Sequence, residues 1–76
     1  NMNSNFTIHK NLQSPLFVTA KTAYEYQVSD LNGRVLMIGR LESGTRTFDI
    51  RHQPPGIYVI KLMASGERVA EQFYNR

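Results

Sequence analysis

The chain of 76 residues has no cysteine and no tryptophan, only two histidines and only three prolines. Without thiols there is neither a disulfide framework nor a thiolate metal site. His9 and His52 stand alone, with no second histidine or carboxylate at the i+2 or i+4 spacing of a preformed zinc site. No apolar run approaches the roughly 20 residues a membrane helix needs, and the first residues lack a charged-then-apolar signal peptide. The glycines never form G-x-G-x-x-G or a P-loop, so no phosphate cradle is indicated. Helical periodicity is missing as well. These absences exclude a disulfide-stapled scaffold and a helical membrane span. They offer no constellation for an enzyme and no cofactor site.

What is present suffices for a small packed domain. Hydrophobic residues at 41% against 20% charged argue for a globule rather than a disordered tail. A chain this short buries only roughly 60% of its unfolded surface, which leaves little room for a deep cleft. A net charge of +3 and a pI near 9.6 raise nucleic acid or an anionic membrane surface as partners. Lys10, Lys21, Arg34, Arg40, Arg46, Arg51, Lys61, Arg68 and Arg76 are nevertheless scattered singly, with no basic run and no helix to enter a groove. The charge reads as a solvated surface.

The last third, Phe48 to Tyr74, organises the rest. In Gly56 to Ala64 the single charge, Lys61, sets the polarity of a strand, so Tyr58, Ile60, Leu62 and Ala64 share the core face. Tyr58 follows a tight Pro54-Pro55-Gly56 corner and can return its hydroxyl to backbone, like the tyrosine corner of immunoglobulin-like sandwiches. A Ser65-Gly66 hairpin and a closing strand follow. Pro54 and Pro55 cannot continue a ladder, so this segment carries the chain from one sheet to the other.

Earlier segments alternate in the same way. Residues 1–5 are a polar lead that reads as linker or frayed terminus, and residues 6–76 form a single domain. Phe6 and Ile8 face inward from a short strand over residues 6–10, and Leu16, Val18 and Ala20 from a second, leaving Phe17 partly exposed. Tyr24, Tyr26 and Val28 form the apolar face of a third strand whose polar face is Glu25, Gln27 and Ser29. Asp30 caps the backbone of the turn that follows, and Asn32-Gly33 signals a hairpin through its tolerance of positive φ. Arg34 to Ile38 is the returning strand, and Gly39 marks a bulge or a close backbone approach. After a turn at Glu42 to Thr45, Phe48 and Ile50 face inward from Arg46 to Ile50. Some six to seven strands at intervals of about 8–12 residues predict an all-β, immunoglobulin-like antiparallel β-sandwich with Greek-key connections.

Two constellations need weighing. Asp30 and Asp49 could meet as an acid/base pair, but turn capping by Asp30 is a sufficient structural reason for it. Glu25, Glu42, Glu67 and Glu71 read as solvated faces. Exposed aromatics could stack sugar rings; Tyr24, Tyr26 and Tyr58 belong to the core by alternation, leaving Tyr74, Phe17 and Phe73 as candidates for a platform.

YEYQVSDLNGRVL (Tyr24 to Leu36), FDI (Phe48 to Ile50), PPGIYVIKL (Pro54 to Leu62), the Ser-Gly hairpin and a short last strand together resemble the C-terminal sorting domain of type IX secretion cargo. Asp30, Gly33 and Arg34 match that family's turn, Gly56 and Tyr58 its corner, and Arg68 to Arg76 its terminal strand, which includes Phe73. Where the family usually carries a leucine five residues before the corner tyrosine, this chain has Gln53. The resemblance implies a non-catalytic, monomeric domain at the C-terminus of a larger exported protein of Bacteroidetes-type bacteria. It implies a cargo domain ahead of it in the same chain. It also implies recognition by the outer-membrane translocon and its sorting and cleavage machinery, with passage through the periplasm to the cell surface or the medium and no stable membrane insertion. Two other readings stay open at this point: a carbohydrate-binding module of a secreted hydrolase, and a fibronectin-like or immunoglobulin-like spacer.

Overall fold

The computed structural model describes residues 4–9 and 12–76. Seven strands follow one another: β1 (Phe6–Ile8), β2 (Leu16–Ala20), β3 (Tyr24–Asp30), β4 (Val35–Leu41), β5 (Gly44–Phe48), β6 (Gly56–Ala64) and β7 (Glu67–Asn75). They form two antiparallel sheets, one ordered β1-β2-β5 and the other β4-β3-β6-β7. The chain changes sheet between β2 and β3, between β4 and β5, and between β5 and β6. The pairs β2–β5 and β3–β6 therefore join strands distant in sequence, which is the Greek-key connection the alternation predicts. Residues 1–3 of the polar lead, and Lys10 and Asn11 at the first turn, lie outside the described residues.

Alternation places the core between the sheets. Tyr58, Ile60 and Leu62 of β6 and Tyr24 and Val28 of β3 are buried on one side. Phe6, Leu16, Val18, Ala20, Phe48 and Ile50 are buried on the other. Each of the larger aliphatic and aromatic side chains among them contributes roughly 1.5–3 kcal/mol by leaving water. Two aromatic contacts bridge the layers edge to face, Phe6 to Tyr24 at 5.4 Å between ring centroids and Tyr26 to Phe48 at 5.0 Å. Tyr26 and Ala64 are half-buried rather than enclosed.

Several details differ from the sequence reading. β4 runs through Gly39 to Leu41, because the glycine serves a close approach: a Cβ there would lie 2.8 Å from the hydroxyl of Tyr26 on the paired strand. The bulge falls earlier, where Val28 pairs with Met37 and Ser29 with Val35, leaving Leu36 as the extra residue. Ser29, read as part of a polar face, is only 5% exposed, since its partners on either side are Val35 and Val59. The connection from β4 to β5 is Glu42–Ser43 alone; Gly44 and Thr45 already pair with Ala20 and Thr19.

The two tight hairpins solve the same problem differently. Ser65 and Gly66 both take positive φ (48° and 83°), the two-residue turn whose twist matches the strands it joins. At the β3–β4 turn only Gly33 does (φ 88°), and Asp30 and Arg34 close a three-residue loop of Leu31, Asn32 and Gly33. Asn32 is thus not a positive-φ position, although Gly33 beside it is.

Candidate functional site

Pro54 offers no amide hydrogen, so the crossing from β5 to β6 must be held by its carbonyls. Gln53 N–H donates to the Ile50 carbonyl at 2.8 Å and folds the segment. The Tyr58 hydroxyl donates to the Pro54 carbonyl at 2.6 Å, completing the tyrosine corner. The side-chain amide of Asn75 donates to the Gln53 carbonyl at 3.0 Å and to the Pro54 carbonyl at 3.2 Å. Asn75 is fully buried, and Phe73 packs 6.3 Å from Tyr58 between ring centroids. The corner is therefore closed by side chains of β6 and β7 together. Gly56 enters β6 at φ 152°, a conformation that side-chain-bearing residues rarely adopt.

The Asp30 turn lies at the same end of the sheet, because Asp30 is the register partner of Tyr58. One carboxylate oxygen of Asp30 accepts from Asn32 N–H and Arg34 N–H, both at 2.9 Å, and the other lies 3.5 Å from the Arg34 guanidinium. This is the capping role read from the sequence. Asp49 is used separately: Arg51 binds it through backbone and guanidinium and holds its carboxyl down to about 2. The two aspartates are each committed to a local partner, not to one another.

A further tie comes from the segment before β2. Tyr74 N–H donates to the Leu12 carbonyl and Ser14 N–H to the Tyr74 carbonyl, both at 3.0 Å, so Gln13 forms a parallel bridge to Tyr74. The opposite end of β7 is tied to the polar lead. Glu67, read as a solvated side chain, instead accepts from the Ser4 hydroxyl and, at 2.7 Å, from Asn5 N–H. The Ser4 hydrogen bond, and then that of Asn5, hold its carboxyl below the ordinary value against an opposing desolvation. The Asn5 side-chain carbonyl in turn accepts from Lys21 N–H at 3.1 Å and Thr22 N–H at 2.9 Å.

Asp30, Gly33, Arg34, Gly56, Tyr58, Phe73 and Arg76 thus gather at one end of the four-stranded sheet. Arg68 does not; it pairs with Met63 beside the Ser65-Gly66 hairpin, roughly 27 Å from Arg76 at about 3.4 Å per residue. Phe73 is corrected from a platform candidate to a core residue, 2% exposed. Phe17 and Tyr74 are exposed (40% and 42%) but stand on the outer faces of different sheets, so they form no shared platform. Among the described residues no group of three His, Cys, Asp or Glu side chains could hold a metal ion.

Sequence reasoning missed Asn75, the Glu67 tie and the Gln13 bridge. Asn75 had a detectable signal: it lies two residues after Phe73 on the face that carries the core, where an amide needs backbone partners.

No curated protein matches the chain. A family model described as the secretion system C-terminal sorting domain matches residues 2–74, and so takes in the turn, the corner and the closing strand as far as Tyr74. By that match over nearly its whole length, the chain belongs to the C-terminal sorting domains of type IX secretion.

Proposed function

We propose that this domain is the address by which a larger cargo, joined ahead of it in the same chain, is carried across the outer membrane. Membership of the family implies a cargo chain, a secretion machinery and export toward the cell surface or medium, and the family is in general non-catalytic. The finer reading is that the folded sandwich is what the outer-membrane translocon recognises, after which the sorting machinery cleaves it from the cargo. One observation carries this: the closing strand is built into the core, with Phe73 and Asn75 buried and Asn75 locking the Tyr58 corner. The terminal segment and the fold are one object, so the address is a shape rather than a loose peptide. Asp30, Gly33, Arg34, Gly56 and Tyr58 build that shape, while Arg68 and Arg76 are solvent-facing members of the same strand region.

The test is export of a reporter fused ahead of the domain in a type IX-competent host. Deleting residues 68–76 is expected to abolish export, whereas Arg76→Glu, a charge reversal at an exposed position, is expected to leave both folding and export intact. Surface delivery of the truncated fusion at the normal level would overturn the reading. Loss of export in Arg76→Glu with an unchanged fold would make terminal charge, not shape, the signal.

A further inference from the structure

Four strands stand at sheet edges, and three of them are guarded. β1 has only three residues. β5 presents Thr45, Arg46 and Thr47, all polar. β7 is tied at its start through Glu67 to Ser4 and Asn5, and near its end by the Gln13 bridge. β4 has none of these protections. It is seven residues long, pairs only with β3, contains no proline or lysine, and leaves Val35 45% and Ile38 70% exposed. Natural sheets rarely leave a long apolar edge open, since its unpaired N–H and C=O groups invite another strand.

Charge says what kind of strand fits. Ile38 and Arg40 stand on the outer face of the sheet, opposite Gln27 and Glu25. Beside them a hollow of 350 Å³ is lined by Glu25, Tyr26, Ile38, Gly39, Arg40 and Met63. Arg34 precedes the strand and Arg40 lies near its end, and no acidic residue lies within the strand. Among the described residues the ion pairs are Arg34 with Asp30 and Arg51 with Asp49; Arg40, Lys61 and Arg68 of this face have none. A second copy is a poor occupant: paired antiparallel about Ile38, it would set its own Arg34 diagonally against this Arg40, and the reverse.

Resting on the sorting reading above, we infer that the open edge of β4 is the docking strand of the domain. It receives an extended segment of the secretion machinery with alternating apolar residues and a carboxylate opposite Arg40. The added strand supplies main-chain hydrogen bonds for affinity, and the contacts with Ile38 and Arg40 supply specificity.

The experiment is the same reporter export, with Ile38→Lys, Arg40→Glu and, on the other sheet, Phe17→Lys. Unfolding midpoints and sedimentation are measured on each isolated 76-residue domain. Export is expected to fall by about tenfold in Ile38→Lys and Arg40→Glu. Their midpoints should stay near wild type, and Phe17→Lys should export normally. Normal export of both β4 variants alongside an exported wild type would overturn the docking edge and leave the sorting reading standing. A wild-type domain that exports nothing would remove the sorting reading and this inference with it. A wild-type dimer that Ile38→Lys dissolves would overturn the choice of occupant in favour of a second copy.

Discussion

The two ends of the four-stranded sheet are held by opposite kinds of chemistry. At the corner end, neutral groups do the holding: the hydroxyl of the buried Tyr58 and the amide of the buried Asn75 donate to the Pro54 and Gln53 carbonyls. At the hairpin end, a carboxylate does it, with Glu67 accepting from Ser4 and Asn5 at the edge of solvent. Buried neutral bonds are indifferent to pH and costly to leave unmade, whereas a carboxylate tie depends on its charge. The corner should therefore dominate stability, and the hairpin end should carry the response to acid.

The largest test of that contrast is Tyr58→Ala, which removes a buried ring together with its hydrogen bond. A loss of about 3–5 kcal/mol in urea denaturation is expected, from lost burial and the cavity left behind. A midpoint equal to wild type would place the ring outside the core. Next comes Asn75→Ala, which leaves two corner carbonyls short of a donor and should cost about 1–3 kcal/mol by the same measurement. A neutral result would mean that water replaces the amide at no cost. Asp30→Ala, at the same end but more exposed, deprives Asn32 and Arg34 N–H groups of their acceptor and should cost about 1 kcal/mol.

The smallest effect at neutral pH is expected from Glu67→Gln, and it should appear chiefly as a change of slope. Because the Ser4 and Asn5 hydrogen bonds hold the folded Glu67 carboxyl below its ordinary value, its contribution is complete above that ordinary value and fades as the pH falls through the folded pKa. The variant should lose less of its urea midpoint than wild type does between about pH 7 and about pH 3. What acid sensitivity remains should include Asp49, whose carboxyl, held to about 2 by Arg51, gains protons only in stronger acid. Identical slopes in variant and wild type would show that the hairpin end is not tied by charge.

The contrast also explains what could be read before the structure. The corner was legible because proline, glycine and an inward tyrosine each restrict backbone or face at short range, so Pro54 to Tyr58 predicts its own geometry. The Asp30 turn was legible for the same local reason, except that Asn32 beside Gly33 imitates the signal of a two-residue turn. Gly39 was legible only as an alternative, since period-two patterning cannot say whether a glycine bends its strand or admits a neighbour's ring. The hairpin end was not legible, because the partners of Glu67 are contributed by the polar lead and nothing in SGERVA or NSNF points from one to the other. Surface carboxylates and surface amides look alike until the sheets are stacked.

The ties of the polar lead to β7 also bear on how the domain folds. Ser4 and Glu67 are 63 positions apart, and Asn5 and Glu67 are 62 apart. Such contacts close almost the entire chain into a loop, and closure entropy must be met before they return any stabilisation. Topologies of this kind fold on the millisecond-to-second scale, with little stable structure in partial chains. A chain still emerging, or one trimmed of β7, should stay open along its whole length rather than keep a half-sandwich. On the reading that the folded sandwich is the address, that address exists only once the last strand has arrived, which makes completeness a condition for being recognised at all.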